Sequence, residues 1–239
     1  MRNAQAHATM VGKQVYRYLN EDCSTRANTR DLINTLAQVL PETVVFGGMI
    51  RDISLWPARE FNSDIDLVSM ADRKSILSVI RRYNPKLNKF GGFRFAVGYQ
   101  LFDIWSYQDT WAFREGLVKA TAFEDLCATT FFNMDAACQP LKSKRIIASA
   151  NYFESLRSRI LDINLEANPA PDKVAVRAIR MSVERDLKVS PRLQAFVLKN
   201  ANNTLWKTTL TGSFLRLMTK HYEKNAGVPF SFRPQPDLF

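Results

Sequence analysis

Histidine and cysteine are scarce in this chain of 239 residues, which contains two histidines and three cysteines. His7 and His221 stand alone, and the sequence shows no Ser-His-Asp, Cys-His or zinc-ligand spacing. The cysteines, Cys23, Cys127 and Cys138, are odd in number and not spaced as metal ligands. This usage is typical of reduced thiols in the cytosol. The sequence therefore gives no support for a catalytic triad or a zinc site.

Long apolar runs are also missing. No stretch approaches the roughly 18 uninterrupted apolar residues that a membrane-spanning helix needs. The opening residues, MRNAQAHATMVGKQ, lack the apolar run of a secretory signal. Hydrophobic residues make up 46% of the chain and charged residues 23%, an ordinary globular composition that excludes a disordered or fibrous protein. We predict a cytoplasmic protein with no membrane partner.

Acidic residues are under-represented at one end of the chain. The net charge is +10, and residues 141–239 carry 17 basic and 8 acidic residues, which is nearly the whole excess. Such a surface attracts polyanions. A solvated, basic helical surface with no partner is an equally good interpretation.

The periodicity of apolar residues changes twice along the chain. Alternation and β-branched runs predict strands at 43–46, 63–70, 93–100 and 101–107. Apolar residues at helical spacing predict helices at 11–40, 49–56, 72–83, 110–117, 122–137, 151–158, 171–187, 191–201 and 204–224. We therefore predict an α+β fold in three parts, with N-terminal helices in 1–40, a small mixed sheet in 41–140 and a basic helical part in 141–239.

Acidic residues alternate with apolar residues in two of the predicted strands. Asp64 and Asp66 would share one strand face, opposite the apolar face of Ile65 and Leu67. Two carboxylates on adjacent positions of one face repel each other unless a cation lies between them, and divalent metals favour oxygen ligands. An Asp-x-Asp sequence also occurs by chance in surface loops. Asp103 stands between apolar neighbours in the later strand, either as a third ligand or as a paired core aspartate.

A glycine pair follows the first predicted strand and opens a helix. Gly47 and Gly48 would let backbone N–H groups approach a phosphate, and a helix N-terminus adds partial positive charge. Alone this turn is weak evidence. Together, the turn and the three aspartates, Asp64, Asp66 and Asp103, predict one site that holds two metal ions and a nucleoside triphosphate for in-line attack by an oxygen.

The order Gly-Gly, Asp-x-Asp, Asp resembles the polymerase β-like nucleotidyltransferase superfamily. The sequence FGGMIRDI at 46–53 resembles the opening motif of the tRNA CCA-adding enzyme and bacterial poly(A) polymerase family. Three later segments resemble further motifs of that family: 89–92 with 102–104, 123–132 and 176–182. The resemblance extends over about residues 43–187 and covers the head domain of those enzymes.

This resemblance implies transfer of a nucleoside monophosphate from ATP or CTP to a hydroxyl group, with release of pyrophosphate. Asp64 and Asp66 would bind two Mg²⁺ ions, or Mn²⁺ in their place, and Asp103 would bind the catalytic one. The implied nucleotide-binding residues are Gly47, Gly48, Arg51, Arg177 and Arg180. For the arginines, a helix-face ion pair with Asp52 or a solvated helix flank is the alternative.

The resemblance and the basic C-terminal part together suggest the 3′ end of an RNA, such as tRNA, as the acceptor. The predicted helix 204–224 groups four basic residues that would contact RNA phosphates: Lys207, Arg216, Lys220 and Lys224. A small molecule or a protein as the acceptor, or a non-catalytic RNA-binding module, are the alternatives. Three intact aspartates argue against the last of these.

Two of the departures of this sequence from that family bear most on the site and the substrate. Fifteen residues separate Gly48 from Asp64, a few more than usual, so residues 57–62 predict an enlarged loop beside the site. The Glu-Asp-x-x-Arg motif that reads the incoming base is replaced at the matching positions by Ala170, Pro171 and Val174. We therefore expect the enzyme to add one kind of nucleotide, or to discriminate poorly, rather than to build ordered CCA.

Two features stay open at this level. Asp125, in the third motif, could position a nucleotide or pair with a base such as Arg94. Aromatic residues are dense between 90 and 111, and most of them are predicted to lie in the core, with one free to stack on a base.

Overall fold

A computed structural model describes residues 2–21 and 23–200 of the chain, with side chains from residue 5 onward. The chain divides between Leu156 and Arg157 into two compact units, here called the first and the second unit. The predicted helix 204–224, with Lys207, Arg216, Lys220 and Lys224, lies outside the described residues. The boundaries at 40 and 140 stay a prediction.

The described part contains nine α-helices and nine strands, with short 3-10 turns between some of them. The α-helices are α1 (Arg2–Asn20), α2 (Ala27–Val39), α3 (Gly48–Leu55), α4 (Arg73–Ile80), α5 (Trp111–Arg114), α6 (Phe123–Leu126), α7 (Tyr152–Ser158), α8 (Pro171–Glu184) and α9 (Pro191–Asn200). The strands are β1 (Thr43–Phe46), β2 (Ile65–Ser69), β3 (Lys86–Leu87), β4 (Phe93–Val97), β5 (Gln100–Ser106), β6 (Ala137–Pro140), β7 (Ile147–Ala148), β8 (Ile160–Leu161) and β9 (Lys188–Val189). No helix within residues 2–21 and 23–200 is long and apolar enough to cross a membrane.

The first unit is built on one mixed sheet with the strand order β3-β4-β5-β2-β1-β6-β7. β2 and β5 run parallel, and the other neighbouring pairs in this sheet run antiparallel. α1, α2 and α3 pack together beside this sheet through side chains with no exposed surface, among them Val15, Leu36 and Ile50. The second unit pairs β8 with β9 in parallel and packs α8 against α9. The predicted α+β fold, in which helices precede and follow a mixed sheet along the sequence, is confirmed.

The local sequence explains the burial patterns of β1 and β4. β1 is buried along its whole length because it lies between β2 and β6, and its residues are correspondingly apolar apart from Thr43. β4 alternates buried and exposed residues, as expected for a strand with one face toward the core. Gly98, with a φ of +59°, forms the tight turn between β4 and β5.

The helix predicted over 122–137 is wrong for most of that range. The structure ends α6 at Leu126 and places Ala137–Pro140 in β6, where Cys138 is the register partner of Phe46. Ala137 and Cys138 are fully buried, so this strand shows no alternation that would distinguish it from a helix. These residues form a strand because they pair with β1. The strands β3, β7, β8 and β9 have two residues each, too few to show a period.

Candidate active site

The three predicted carboxylates lie on two neighbouring strands of the first unit. Asp66 in β2 and Asp103 in β5 are register partners in the parallel pair, and Asp64 immediately precedes β2. Ile65 and Leu67 have no exposed surface, whereas Asp64 and Asp66 are partly exposed. The alternation predicted from the sequence therefore brings the three acidic side chains to the same part of the sheet, on the face opposite Ile65 and Leu67.

Arg94 places a positive charge among these carboxylates. In the antiparallel pair of β4 and β5, Arg94 is the register partner of Asp103. Its guanidinium donates a hydrogen bond to Oδ2 of Asp64 at 2.7 Å and lies 3.4 Å from Oδ2 of Asp103. This role of Arg94 is not predicted from the sequence, where Arg94 figures only as a partner for Asp125. The sequence signal for this placement is the alternation Phe93-Arg94-Phe95, which puts the arginine on the strand face opposite the two phenylalanines.

Of the two carboxylates beside Arg94, that of Asp103 is the less exposed. Its side chain is 15% exposed, against 35% for Asp64. Burial raises the pKa of Asp103, the positive charge of Arg94 opposes that shift, and the negative charge of Asp64 adds to it. A positive charge beside Asp103 therefore favours its ionised form.

The carboxylate oxygens are of the kind that Mg²⁺ prefers. In the described ranges, however, no three acidic, histidine or cysteine side chains are placed so that they could hold a metal ion as they stand. The Arg94 guanidinium lies against two of the three carboxylates, those of Asp64 and Asp103. With half of the Arg94 side chain exposed, the guanidinium has room to withdraw to solvent. The oxygen donors of Asp64, Asp66 and Asp103 are of the type that a divalent metal takes.

The glycine turn lies next to the start of β2. Phe46, the residue before Gly47, is the register partner of Asp66. Gly47 has a φ of +66°, in the left-handed region, and its N–H donates to the carbonyl of Ala137 at 2.9 Å. α3 begins at Gly48, so its first-turn N–H groups lie at this end of β1. The predicted phosphate-holding turn and the predicted metal ligands are thus brought together.

Arg51 lies beneath that turn in a buried ion cluster. Its side chain is 4% exposed, its Nε donates to Oδ1 of Asp52 at 2.8 Å, and its Nη1 donates to Oδ1 of Asp135. Burial disfavours the charged guanidinium, but Asp135 and Asp52 outweigh it and raise the pKa of Arg51. A Cβ on Gly48 would lie 3.4 Å from this guanidinium. Of the two sequence interpretations, the geometry matches the ion pair with Asp52, in a buried form.

Asp135 is a site residue that the sequence analysis missed. It lies 84 positions from Arg51 in the chain, in a segment assigned there to a helix, so no local pattern could reveal the contact. Its carbonyl oxygen lies 3.5 Å from the position a Cβ on Gly47 would take. Tyr152, fully buried beside the cluster, has its pKa raised by burial. Arg51 and Asp135 thus lie directly against the glycine turn.

Asp125 has a local structural role. Its carboxylate accepts hydrogen bonds from the Thr121 hydroxyl at 2.6 Å and from the N–H groups of Thr121 and Ala122 at 2.8 and 3.0 Å. These contacts, with the Thr121 hydroxyl as the largest contribution, lower the pKa of Asp125. The contacts hold the chain that enters α6.

The two arginines predicted on the later helix lie in the second unit. Arg177 and Arg180 are exposed on α8, while Val176 and Ile179 are buried. Arg180 lies 3.2 Å from Glu184 of the same helix. Of the positions that replace the base-reading motif, Ala170 is the N-cap of α8 and Pro171 its first residue.

Comparison with known proteins gives matches by structure alone. No family model and no curated protein matches the sequence, while 38 chains of solved structures match the fold. A Thermotoga maritima CCA-adding enzyme complexed with tRNA matches with a TM-score of 0.57 and 20% identity, over 89% of this chain and 51% of that one. A tRNA-processing enzyme with CTP matches with a TM-score of 0.55 and 15% identity, over 81% and 56%.

A third match is a tRNA nucleotidyltransferase complexed with a primer tRNA and an incoming ATP analog, with a TM-score of 0.53 and 17% identity, over 81% of this chain and 60% of that one. The chain thus spans about half to three-fifths of the length of these structures. The resemblance to CCA-adding enzymes that the sequence motifs predict is confirmed at the level of the fold. The chain has the fold of nucleotidyltransferase enzymes.

Proposed function

We propose that this protein is a metal-dependent nucleotidyltransferase that moves a nucleoside monophosphate from a nucleoside triphosphate to a hydroxyl group and releases pyrophosphate. The observation that carries the proposal is the register of Asp66 against Asp103, with Asp64 beside them and the Gly47–Gly48 turn at the adjoining strand end. This arrangement combines oxygen donors for divalent metals with a place for phosphates.

Each part of the site has a distinct role in this proposal. Asp64 and Asp66 would hold two Mg²⁺ ions, or Mn²⁺ in their place, and Asp103 would complete the ligands of one of them. Bound magnesium would lower the pKa of the acceptor hydroxyl and stabilise charge on the reacting phosphate, so no other general base is required. The Gly47–Gly48 turn would hold the β- and γ-phosphates through N–H groups at the start of α3, since the Gly47 N–H already donates to the carbonyl of Ala137.

Arg51 acts as a positioning residue in this account. Its guanidinium is held by Asp52 and Asp135 and lies under Gly48. It would keep the turn in the conformation that presents N–H groups to the triphosphate, and its buried positive charge would add to the local potential. Arg177 and Arg180, exposed on α8, remain candidates for contact with the triphosphate or the base.

Two features support the 3′ end of an RNA, such as tRNA, as the acceptor and ATP or CTP as the donor. Residues 141–239 carry nearly all of the basic excess, including Lys207, Arg216, Lys220 and Lys224. Solved structures of the same fold contain tRNA, CTP and an ATP analog. With Ala170 and Pro171 at the base-reading positions, we expect addition of one kind of nucleotide rather than ordered CCA.

A small molecule or a protein as the acceptor is the second candidate. The observation that favours it is the loss of charged residues at the base-reading positions, where Ala170 and Pro171 begin α8. Such a protein would keep the metal site and the glycine turn while taking a different hydroxyl.

The experiment is to incubate the protein with Mg²⁺ and each labelled triphosphate separately, in the presence of total RNA, cell protein and a small-molecule extract. Label in RNA that depends on Asp66 supports the RNA acceptor. Label in protein or in the extract supports the second candidate. No transfer from any triphosphate to any fraction contradicts the proposed activity and favours a non-catalytic RNA-binding module.

A further inference from the structure

A cavity of about 420 Å³ opens beside Asp64 in the first unit. Three segments that the proposed chemistry does not use meet there: the end of α1 with the start of α2, the loop 57–62, and the turn between β4 and β5. The loop 57–62 is the enlarged segment noted in the sequence. A volume of this size lies within the range of about 300–1,000 Å³ that is usual for small-molecule sites.

Aromatic rings line this cavity. Tyr18 of α1 and Phe61 of the enlarged loop meet edge to face, with ring centroids 5.3 Å apart. The Arg26 guanidinium lies 4.2 Å from the centroid of the Tyr18 ring. Tyr99 stands fully exposed at the turn after Gly98, and the sequence analysis had assigned most of the surrounding aromatic residues to the core. An exposed ring beside a polar cavity is suited to stack on a flat ligand.

The charged groups that the structure describes in the cavity, one acidic and one basic, do not suit a polycationic ligand. Asp64 is the single acidic residue among the described residues that line it, and Arg26 supplies positive charge. The side chains of Asn28 and Asn62 add amide donors and acceptors, of the kind that pair with the edges of bases. A polycationic small molecule would find one carboxylate and a repelling arginine here. A serine or threonine hydroxyl of a protein would leave most of the volume empty.

We propose that this cavity is the acceptor subsite and receives the terminal nucleobase of an RNA strand. The base stacks on Tyr99, amide side chains contact its edge, and the terminal ribose reaches Asp64 at the rim. The inference rests on the proposed function, because it assigns the cavity to the RNA end that accepts the nucleotide. Gln100 donates to the carbonyl of Ser63 at 2.7 Å and so ties the Tyr99 turn to the segment that carries Asp64.

The test compares two single-stranded RNA probes that end in a 3′-deoxyribose, so that no transfer occurs. One probe carries its terminal base and the other lacks only that base. Fluorescence anisotropy is expected to show about tenfold tighter binding of the intact probe to the wild type, since a stacked base contributes on this order. Tyr99→Ala should bind both probes equally, and Tyr99→Phe should keep the preference. Leu87→Ala, which removes another exposed apolar side chain at 61% exposure, is the matched control and should keep the preference.

Equal binding of the two probes by the wild type would overturn the inference, as would a preference that survives in Tyr99→Ala. A wild type that binds neither probe would overturn it too. The measurement needs no catalysis, so it separates the two proposals. Base-dependent binding without any nucleotidyl transfer would contradict the proposed activity alone, whereas transfer to RNA without a preference for the terminal base would contradict the subsite alone.

Discussion

The guanidinium of Arg94 lies between the carboxylates of Asp64 and Asp103, at 2.7 Å from the first and 3.4 Å from the second. Arg94 therefore supplies the positive charge that offsets the repulsion between the carboxylates of Asp64 and Asp103. Because the site that we propose for metals overlaps this position, Arg94 and a bound metal ion would compete for the same oxygens.

Replacing Arg94 with alanine is expected to tighten Mn²⁺ binding severalfold in the absence of nucleotide, because the competing cation is gone. The free carboxylates repel each other, so the melting temperature of Arg94→Ala without metal should fall slightly and recover on adding Mn²⁺. Isothermal titration calorimetry and thermal melting measure both effects. Arg73→Ala is the control, since Arg73 pairs with Asp109 at 2.9 Å and is similarly exposed. Weaker Mn²⁺ binding by Arg94→Ala would contradict the assignment.

The buried cluster under the glycine turn should be a large contributor to stability. Asp135→Ala leaves the buried Arg51 guanidinium with one partner fewer, and breaking such a pair costs about 3–5 kcal/mol of unfolding free energy. Asp109→Ala, which breaks the exposed pair with Arg73, should cost about 1 kcal/mol or less. Urea unfolding followed by circular dichroism compares the two variants. Equal losses would show that Asp135 does not brace the turn.

Two glycines with nearly the same positive φ allow a paired test of the phosphate-holding turn. Gly47 has a φ of +66° and Gly116 a φ of +68°, so alanine at either position is strained and should lower stability. Gly47→Ala alone is expected to weaken ATP binding in the presence of Mg²⁺ by about tenfold or more. Equilibrium dialysis with labelled ATP is the measurement. If both variants bound ATP like the wild type, the turn would not hold the phosphates.

The Asp125 carboxylate should make stability depend on pH in the acidic range. Its pKa is lowered in the folded state, so its contribution is present above the unfolded pKa and is lost as the pH falls through the folded pKa. Asp125→Ala is expected to cost about 1 kcal/mol at pH 7, as for the loss of a helix-capping side chain. The difference from the wild type should shrink below about pH 4, where aspartates become protonated. Glu124→Ala is the neighbouring control. A constant difference in urea unfolding across this range would refute the role of the Asp125 charge.

Local sequence predicts the parts of the site that lie on alternating strands. Asp64, Asp66 and Asp103 alternate with buried apolar residues, and Gly47 follows a β-rich run, so each signal lies within a few neighbouring residues. The contact of Arg51 with Asp135 joins segments 84 positions apart, and no local period encodes it. β6 was missed for a related reason, since pairing with β1 rather than alternation defines it.

The cavity beside Asp64 could not be predicted either, because three separate segments build it. The sequence did indicate one of the segments that line it, the enlarged loop 57–62, through the extra residues between Gly48 and Asp64. Tyr99 was grouped there with core aromatics, and only its position at the hairpin turn exposes it.

The most direct test of the account is the transfer of labelled nucleotide to the 3′ end of RNA by the wild type and by Asp66→Asn, with Mg²⁺ and with ATP or CTP. Asp66→Asn keeps the shape of the side chain and removes the charge, so circular dichroism and thermal melting should show an intact fold. We predict transfer by the wild type and a loss of about 1,000-fold or more in the variant, since the metal ligand is gone. Near-normal transfer by Asp66→Asn would contradict the two-metal site.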